Sequence, residues 1–443
     1  MSRFQQQISC GLILLSITLL TACGQLNRLP DQTPDSASSD DTSFHSDITF
    51  QSDTSFPYMG GTGDLGLVIE RTRGSVLIVN TSSQQAIRRI EGLGDLSHAS
   101  VVYSRDQRYG FVFGRDGGLT KVDLLQGEIA SRIIQAGNSI GGAISQDGRY
   151  VAVSNYEPGG VRIFRSDDLS LVADIPATEL PETTISTNNQ PVRRHSKTVG
   201  LVDLPSNRFA VSLFDSHEIW LIEMTDTDPQ TQGIQPQVTK YTGVGRQPYD
   251  ALVTPEGRYY IAGLFGDQGM AKLDLWEPER GIQRIMPTYG LKEKRLPVYK
   301  MPHLEGWTQA GPYLFAPGVG HHEVIVIDTR SWEIIKRIPT HSQPVFVMAQ
   351  PDARRIWVNF AHPHNNILQV IDTKELQIIN TIDAGKTVLH MEFTPRGDQL
   401  WVSLRDENRI VIFDPYRMLP IASVAAQAPS GIFFTSRAHR LGL

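Results

Sequence analysis

Residues 143–155 read AISQDGRYVAVSN, and the same pattern returns as ALVTPEGRYYIAG at 251–263 and as MEFTPRGDQLWVSL at 391–404. Each copy has an apolar stretch, a tight polar turn and a second apolar stretch. Alternating apolar residues that are bounded by Gly, Pro and Asp indicate antiparallel strands joined by a short turn. The turns recur 41 to 59 residues apart, at Asp106, Asp147, Ser206, Glu256, Gly311, Asp352 and Arg396.

A second pair of strands follows each hairpin, as in VIVIDTRSWEIIKRI at 324–338 and LQVIDTKELQIINTI at 368–382. Four strands in a period of this size are typical of a propeller blade. Seven repeats are complete, whereas the first, at 65–90, lacks its opening strand and SGIFF at 430–434 supplies one. The sequence therefore predicts an all-β, eight-bladed β-propeller over 58–443, closed by pairing of its N- and C-terminal strands.

The composition limits what the chain can do. Of 443 residues, 40% are hydrophobic and 20% are charged, which is sufficient for a large core. Residues 1–57 contain six Asp and two basic residues, Arg3 and Arg28, so they carry −4 of the net charge of −6. The rest of the chain carries −2, which makes the polyanion nucleic acid an unfavourable partner. The two cysteines, Cys10 and Cys23, lie near the N-terminus, which excludes disulfides, Cys-ligated metals and covalent c-type haem in the body.

The N-terminal segment has the pattern of a lipoprotein signal. Arg3 precedes the apolar run at 10–20, and LTAC at 20–23 matches the bacterial lipobox. This predicts a signal peptide at 1–22, lipidation of Cys23 and a polar, flexible tether at 23–57. Gly24 follows the lipidated cysteine, so the sorting pattern that it resembles favours the outer membrane, and the expected location is the periplasm.

One face of the predicted propeller collects the histidines. If the strands of each blade are named a to d from the inside outward, the d–a and b–c loops lie on the same face. Ten of the twelve histidines fall in or at the end of those loops: His98, His195, His217, His303, His321, His322, His341, His362, His364 and His390. With the Arg, Lys, Tyr and Asp of the d–a loops, they predict a mouth for a broad, anionic, metal-containing ligand.

A glycine motif at 61–66, GTGDLG, matches the G-x-G-x-x-G of dinucleotide-binding proteins. That interpretation requires a strand before the motif and a helix after it. Here the tether precedes the motif and an apolar strand, LGLVIER, follows it. We therefore expect these glycines to begin the first blade and expect no NAD.

Several stretches resemble the NirF family of haem d1 biosynthesis proteins of denitrifying bacteria. They include GTGDLGLVIER, GLGDLSHASVVYSRDQRY, QAGNSIGGAISQDGRYVAVSNYEPGGV and LPVYKMPHLEGW, and they cover the whole predicted mature domain. More distantly, the chain is similar to the haem d1 domain of cytochrome cd1 nitrite reductase. The resemblance implies an eight-bladed propeller and periplasmic processing of a haem d1 precursor, with haem d1 or dihydro-haem d1 as ligand or substrate.

The resemblance also implies roles for individual residues. The loop that supplies the axial iron ligand in nitrite reductase falls on His98, with Arg115 behind it. A distal histidine in a Pro-His loop falls on His303, as a ligand or general acid/base. A further distal histidine is replaced near Tyr249 and Asp250, which puts nitrite reduction in doubt. These two residues are catalytic candidates together with His303, with Tyr249 as a hydrogen-bond donor or acceptor near the reacting edge of the ligand.

Basic residues of the mouth complete the candidate site. Arg115, Arg246, Lys300 and Lys386 are candidates to bind the acetate and propionate groups of the ligand. Asp95 is a candidate to orient His98. His390 is a further cofactor-binding candidate, although its position at the start of a strand is equally consistent with packing.

Two functions remain open from the sequence. The chain is either a tetrapyrrole side-chain-modifying enzyme or a non-catalytic carrier that delivers haem d1 or its precursor. The expected partners are cytochrome cd1 nitrite reductase, the dihydro-haem d1 dehydrogenase of the last step and a membrane reached through the lipid anchor. A homodimer that meets through the opposite, turn-bearing faces would leave both mouths open.

Overall fold

The computed structural model describes residues 56–181, 184–185, 191–192, 194–226, 234–289, 306–318 and 321–436. The predicted signal peptide, Cys23 and nearly all of the predicted tether lie outside the described residues, as do Lys300 and His303. Within the described residues there are 34 strands and three short 3₁₀ turns, and no α-helix. Eight four-stranded antiparallel sheets confirm the predicted eight-bladed β-propeller.

The strands follow the predicted order of four to a blade. The first half of the chain contains β1 (Leu65–Glu70), β2 (Ser75–Asn80), β3 (Gln85–Ile90), β4 (Ser100–Tyr103), β5 (Tyr109–Phe113), β6 (Gly118–Asp123), β7 (Glu128–Ile134), β8 (Asn138–Ile144), β9 (Tyr150–Glu157), β10 (Gly160–Arg165), β11 (Leu171–Ile175), β12 (Thr184–Ile185), β13 (Pro191–Val192), β14 (Thr198–Leu204), β15 (Arg208–Leu213), β16 (Glu218–Asp226) and β17 (Ile234–Tyr241).

The second half contains β18 (Pro248–Val253), β19 (Tyr259–Leu264), β20 (Met270–Asp274), β21 (Ile282–Ile285), β22 (Thr308–Ala310), β23 (Tyr313–Pro317), β24 (Glu323–Asp328), β25 (Glu333–Pro339), β26 (Pro344–Ala349), β27 (Arg355–Phe360), β28 (Ile367–Asp372), β29 (Gln377–Asp383), β30 (Val388–Phe393), β31 (Leu400–Leu404), β32 (Arg409–Asp414), β33 (Leu419–Ala425) and β34 (Pro429–Phe434).

Each blade is a meander of four consecutive strands, apart from the blade that contains the two chain ends. Strands of neighbouring blades that contact each other near the axis include β4 with β8, β8 with β14, β14 with β18, and β30 with β34. β4, β8, β14, β18 and β30 are the first strands of their blades, and β34 takes the same place in the first blade. The innermost strand, strand a, is therefore the first strand of each blade. β12 and β13 pair with each other in a separate two-stranded hairpin.

Burial along the blades explains why their middle strands are apolar. Every residue of β1, β2 and β6 is buried, whereas the outer strand β33 exposes most of its side chains. A middle strand is covered by a neighbouring blade on each face, and an outer strand borders solvent along one edge. Leu, Ile and Val therefore fill the middle strands and pack between blades.

The first blade is closed by strands from both ends of the chain. β34 pairs antiparallel with β1, so that Gly66 faces Phe434 and Val68 faces Ile432. A Cβ atom on Gly66 would lie 2.6 Å from the Phe434 ring, so this closure needs the glycine. The Tyr103 hydroxyl from the next blade accepts the Leu67 N–H and donates to the Phe433 carbonyl oxygen. The predicted closure is confirmed.

The a–b turns have a repeated hydrogen-bond pattern. In the turn from β8 to β9, the Ser145 hydroxyl bonds to the Asp147 carboxylate, which also accepts the Arg149 N–H. Ser104 and Asp106 make the same contacts in the preceding blade. Each turn satisfies its own polar groups, as expected for a structural element. The motif at 61–66 forms the 3₁₀ turn Thr62–Asp64 and the start of β1, as predicted.

Candidate functional site

The d–a and b–c loops gather the described histidines on one face, here called the mouth face. Eight of them lie in such loops: His98, His195, His217, His321, His322, His341, His362 and His364. His390 differs, because it is the third residue of β30 and is buried. His303 lies outside the described residues, so the structure gives no geometry for the predicted distal histidine.

Three arginines occupy similar places on neighbouring blades. Arg71 directly follows β1, Arg115 lies two residues after β5, and Arg405 directly follows β31. Each therefore begins a b–c loop on the mouth face. Because these blades are consecutive around the ring, the loops bring three guanidinium groups from distant parts of the chain to one sector of the mouth.

The arginines act on one another electrostatically. Burial lowers the pKa of Arg71, and the charges of Arg405 and Arg115 lower it further, while Asp95 opposes them. Arg405 is paired with Asp406, with a distance of 2.7 Å from Nε to Oδ1. The Arg71 and Arg115 guanidinium groups are half-buried and make no hydrogen bond or ion pair with the described residues. Three clustered guanidinium groups face two nearby carboxylates, Asp95 and Asp406, so this sector of the mouth is favourable for a further anion.

The loop that carries His98 is attached to the Arg115 turn. The Arg115 N–H donates to the Asp95 carbonyl oxygen at 2.8 Å, and the Asp95 carboxylate accepts the Ser97 N–H at 2.8 Å. Burial raises the pKa of Asp95, but the bonds to Ser97 and the charges of Arg115 and Arg71 outweigh it and lower the pKa. Asp95 is therefore an anion at neutral pH that shapes the loop. His98 is exposed three residues after Asp95, in the same d–a loop.

A pair of tyrosines forms a second part of the mouth face. The hydroxyl oxygens of Tyr156 and Tyr249 lie 2.9 Å apart, within hydrogen-bond distance. Tyr156 is near the end of β9, and Tyr249 is the second residue of β18. β14, the innermost strand of the blade between them, contacts both strands, so the pair joins blades on either side of it. The Tyr249 ring contacts Phe214 at 5.7 Å and Phe265 at 6.2 Å between ring centroids.

Both phenols keep their protons at neutral pH. Burial raises the pKa of Tyr156 to about 12; the hydrogen bond to Tyr249 and the charge of Arg115 act in the opposite direction. Burial, followed by the charge of Asp250, raises the pKa of Tyr249 well above its usual value. The pair can therefore donate hydrogen bonds, and neither phenol is a base at physiological pH. The influence of Arg115 on Tyr156 links the tyrosine pair to the arginine sector.

The other predicted site residues have different surroundings. Arg246 and Lys386 are exposed on d–a loops, and their backbone N–H groups donate to Asp267 and Glu407. His390 packs between Phe346 and Phe433, and its Nδ1 accepts the Ile432 N–H at 3.2 Å. This bond fixes the proton of a neutral His390 ring on Nε2. The surroundings of His390 are those of a packed core residue.

Sequence reasoning missed Tyr156, Arg71 and Arg405. The position of Arg71 and Arg405 immediately after a b strand was a usable signal, since Arg115 begins the corresponding loop. Tyr156 had no comparable signal, because its partner lies two blades further along the chain.

The described residues contain no group of three or more His, Cys, Asp or Glu able to hold a metal ion. A macrocycle supplies four nitrogen ligands to iron, so one protein imidazole is sufficient for an axial bond.

In the part of the chain that is described, no helix combines the length and apolarity of a membrane span.

Comparisons with known proteins show the family of the chain. The family model for the Cytochrome D1 heme domain matches residues 60–438. Protein NirF of Stutzerimonas stutzeri is 59% identical over 383 residues, which are 86% of this chain and 94% of that protein. Protein NirF of Pseudomonas aeruginosa is 56% identical over 387 residues, or 87% of this chain and 95% of that protein.

The fold also matches a solved structure. The dihydro-heme d1 dehydrogenase NirN in complex with DHE superposes with a TM-score of 0.70 at 23% sequence identity. The match covers 86% of this chain and 77% of that chain. At this identity the similarity supports the propeller fold.

Proposed function

The chain belongs to the Cytochrome D1 heme domain family and, within it, to the NirF proteins of haem d1 biosynthesis, and from this membership we propose that it binds a late tetrapyrrole precursor of haem d1 at its mouth face and modifies it. The substrate is at the dihydro-haem d1 stage or one step earlier. The product serves cytochrome cd1 nitrite reductase.

The observation that carries this proposal is the arginine sector. Arg71 and Arg115 are half-buried, their guanidinium groups make no hydrogen bond or ion pair with the described residues, and Asp95 is the carboxylate whose charge reaches both of them. Tetrapyrroles of this pathway carry acetate and propionate groups, and a guanidinium binds a carboxylate with two parallel hydrogen bonds. Carboxylates of the ligand would supply further negative charge there. Arg246, Lys300 and Lys386 extend the basic rim.

His98 is the proposed axial ligand to the tetrapyrrole iron. It is exposed on a loop that Asp95 holds, through its bonds to Ser97 and to the Arg115 backbone. An imidazole in that position would bind the iron while the arginines bind the periphery of the ring. His303, with Tyr249 and Asp250, is proposed to act on the opposite side of the macrocycle.

The proposed setting is the periplasm, with the lipidated Cys23 anchored to a membrane, the outer membrane being favoured by Gly24. The proposed partners are cytochrome cd1 nitrite reductase and dihydro-haem d1 dehydrogenase. A homodimer through the turn-bearing faces stays a prediction.

A visible absorption titration tests the binding proposal. Haem d1 added to the full-length chain is expected to change its spectrum on binding, and His98→Ala is expected to bind with a different spectrum because the axial ligand is lost. His322→Ala, a change at an exposed histidine of another mouth-face loop, is the matched control and should behave as the wild type. An unchanged spectrum with His98→Ala would remove His98 as the iron ligand, and no binding to the wild type would overturn the proposed function.

The carrier is the alternative, because no cysteine of the body can hold a redox centre of its own. In cells that make haem d1, His303→Ala is expected to abolish haem d1 formation while the purified variant still binds the precursor. That result supports an enzyme, since binding and product formation separate. Loss of haem d1 only in variants that also lose binding would favour the carrier.

A further inference from the structure

The two hydroxyls of the Tyr156–Tyr249 pair have different surroundings. Tyr249 lies in the innermost strand of its blade, and its ring is held by contacts to Phe214 and Phe265. Phe214 and Phe265 also contact each other, at 5.9 Å between ring centroids, so the three rings form a closed aromatic group. Tyr249 is therefore fixed by packing.

Tyr156 is placed at the mouth. It is the last residue but one of β9, directly before the b–c turn at 158–159 on the mouth face. Its side chain is half-buried, and the one hydrogen bond of its hydroxyl with the described residues is to the Tyr249 hydroxyl. The charged groups that influence it are Asp250, Arg115 and Asp215, of which Asp215 also pairs with Lys197 at 3.5 Å.

Two phenols joined by a hydrogen bond have different roles. In a pair of neutral phenols one hydroxyl donates and the other accepts, and the accepting phenol still has its own O–H to donate. Tyr249, whose ring is held by Phe214 and Phe265, is suited to donate to Tyr156. The second proton is then presented by the phenol that lies at the mouth.

We infer that Tyr156 is the residue that donates a hydrogen bond to the tetrapyrrole, and that Tyr249 positions it. This inference rests on the proposed function. The acceptor is an uncharged oxygen, because a neutral phenol offers a hydrogen bond but no positive charge to a carboxylate. A ring ketone of haem d1 is such an acceptor, and carboxylates are left to the arginine sector.

Absorption titrations of the full-length chain with haem d1 test the assignment. Tyr156→Phe is expected to weaken haem d1 binding about 10-fold, since a hydrogen bond to the ligand is lost. Tyr249→Phe is expected to weaken binding about 3-fold or less, because Tyr156 still donates from a less fixed position. The double variant should bind like Tyr156→Phe alone, since Tyr249 acts through Tyr156.

Three controls separate the outcomes. Tyr259→Phe, which removes a phenol at an a–b turn on the opposite face, should bind as the wild type does. All variants should unfold at the wild-type temperature, because Phe keeps the ring volume. Sirohaem, which has carboxylates but no ring ketones, should bind equally to the wild type and Tyr156→Phe.

The inference is overturned if Tyr156→Phe binds haem d1 like the wild type, or if the effects of the two single variants add up in the double variant. It is also overturned if Tyr156→Phe loses the same factor with sirohaem. Failure of the wild type itself to bind either tetrapyrrole would instead contradict the proposed function.

Discussion

A chain that ends at Gly431 will fail to form a stable propeller, although it lacks only the last twelve residues. The truncation removes Ile432, Phe433 and Phe434, which are buried in the innermost strand of the first blade. Burial of each such side chain contributes about 2 kcal/mol, so their loss approaches the whole stability of a typical domain, about 5–15 kcal/mol.

The truncation also exposes groups that the closure satisfies. β1 loses most of its partner strand and becomes an open sheet edge. Tyr103 loses the Phe433 carbonyl oxygen that accepts its hydroxyl at 2.6 Å, and His390 loses the Ile432 N–H and the Phe433 ring. The disruption therefore reaches both neighbouring blades.

Circular dichroism during heating measures this effect. The chain ending at Gly431 is expected to be insoluble or to show no cooperative transition at the wild-type temperature. A chain ending at Ser436 is the matched control, because it keeps all of β34 and the Thr435 contacts to Thr62 and Leu65. If both chains unfolded at the same temperature, closure by β34 would not be essential.

The blades could be predicted from the sequence because their information is local. A polar turn such as Ser145 to Tyr150 satisfies its own hydrogen bonds, and the alternating apolar residues beside it define the strands. The same rules located every a–b turn from Asp106 to Arg396. The closure was also predictable, because an incomplete first repeat and an extra final strand complete each other.

The site was less predictable because its groups meet only after the ring has closed. Arg71 and Arg405 come from opposite ends of the chain, and neither belongs to a motif of its own. The Tyr156–Tyr249 bond depends on how the blade between them is packed, which no pattern along the chain reports. His390 illustrates the opposite case: a histidine near the mouth is, in its described contacts, part of the packing between Phe346 and Phe433.

Replacement of Arg71 and Arg115 together by Gln should have the largest effect on ligand binding. Each guanidinium is expected to form charge-assisted hydrogen bonds with a carboxylate of the tetrapyrrole, and such bonds contribute about 1.5–3 kcal/mol. Loss of one arginine should therefore weaken haem d1 binding about 10- to 100-fold. The double variant should show no measurable binding at micromolar haem d1.

The unfolding temperature of the ligand-free protein distinguishes a binding role of the two arginines from a structural role. In the ligand-free chain burial and the charges of Arg405 and Arg115 disfavour the charged form of Arg71, whereas Asp95 favours it, so the opposing effects should leave the double variant unfolding close to the wild-type temperature. Arg108→Gln, which removes an ion pair with Asp123 beside an a–b turn on the opposite face, is the matched control and should leave binding unchanged. A double variant that unfolds at a much lower temperature, or that binds haem d1 like the wild type, would show that these arginines hold the fold rather than the ligand.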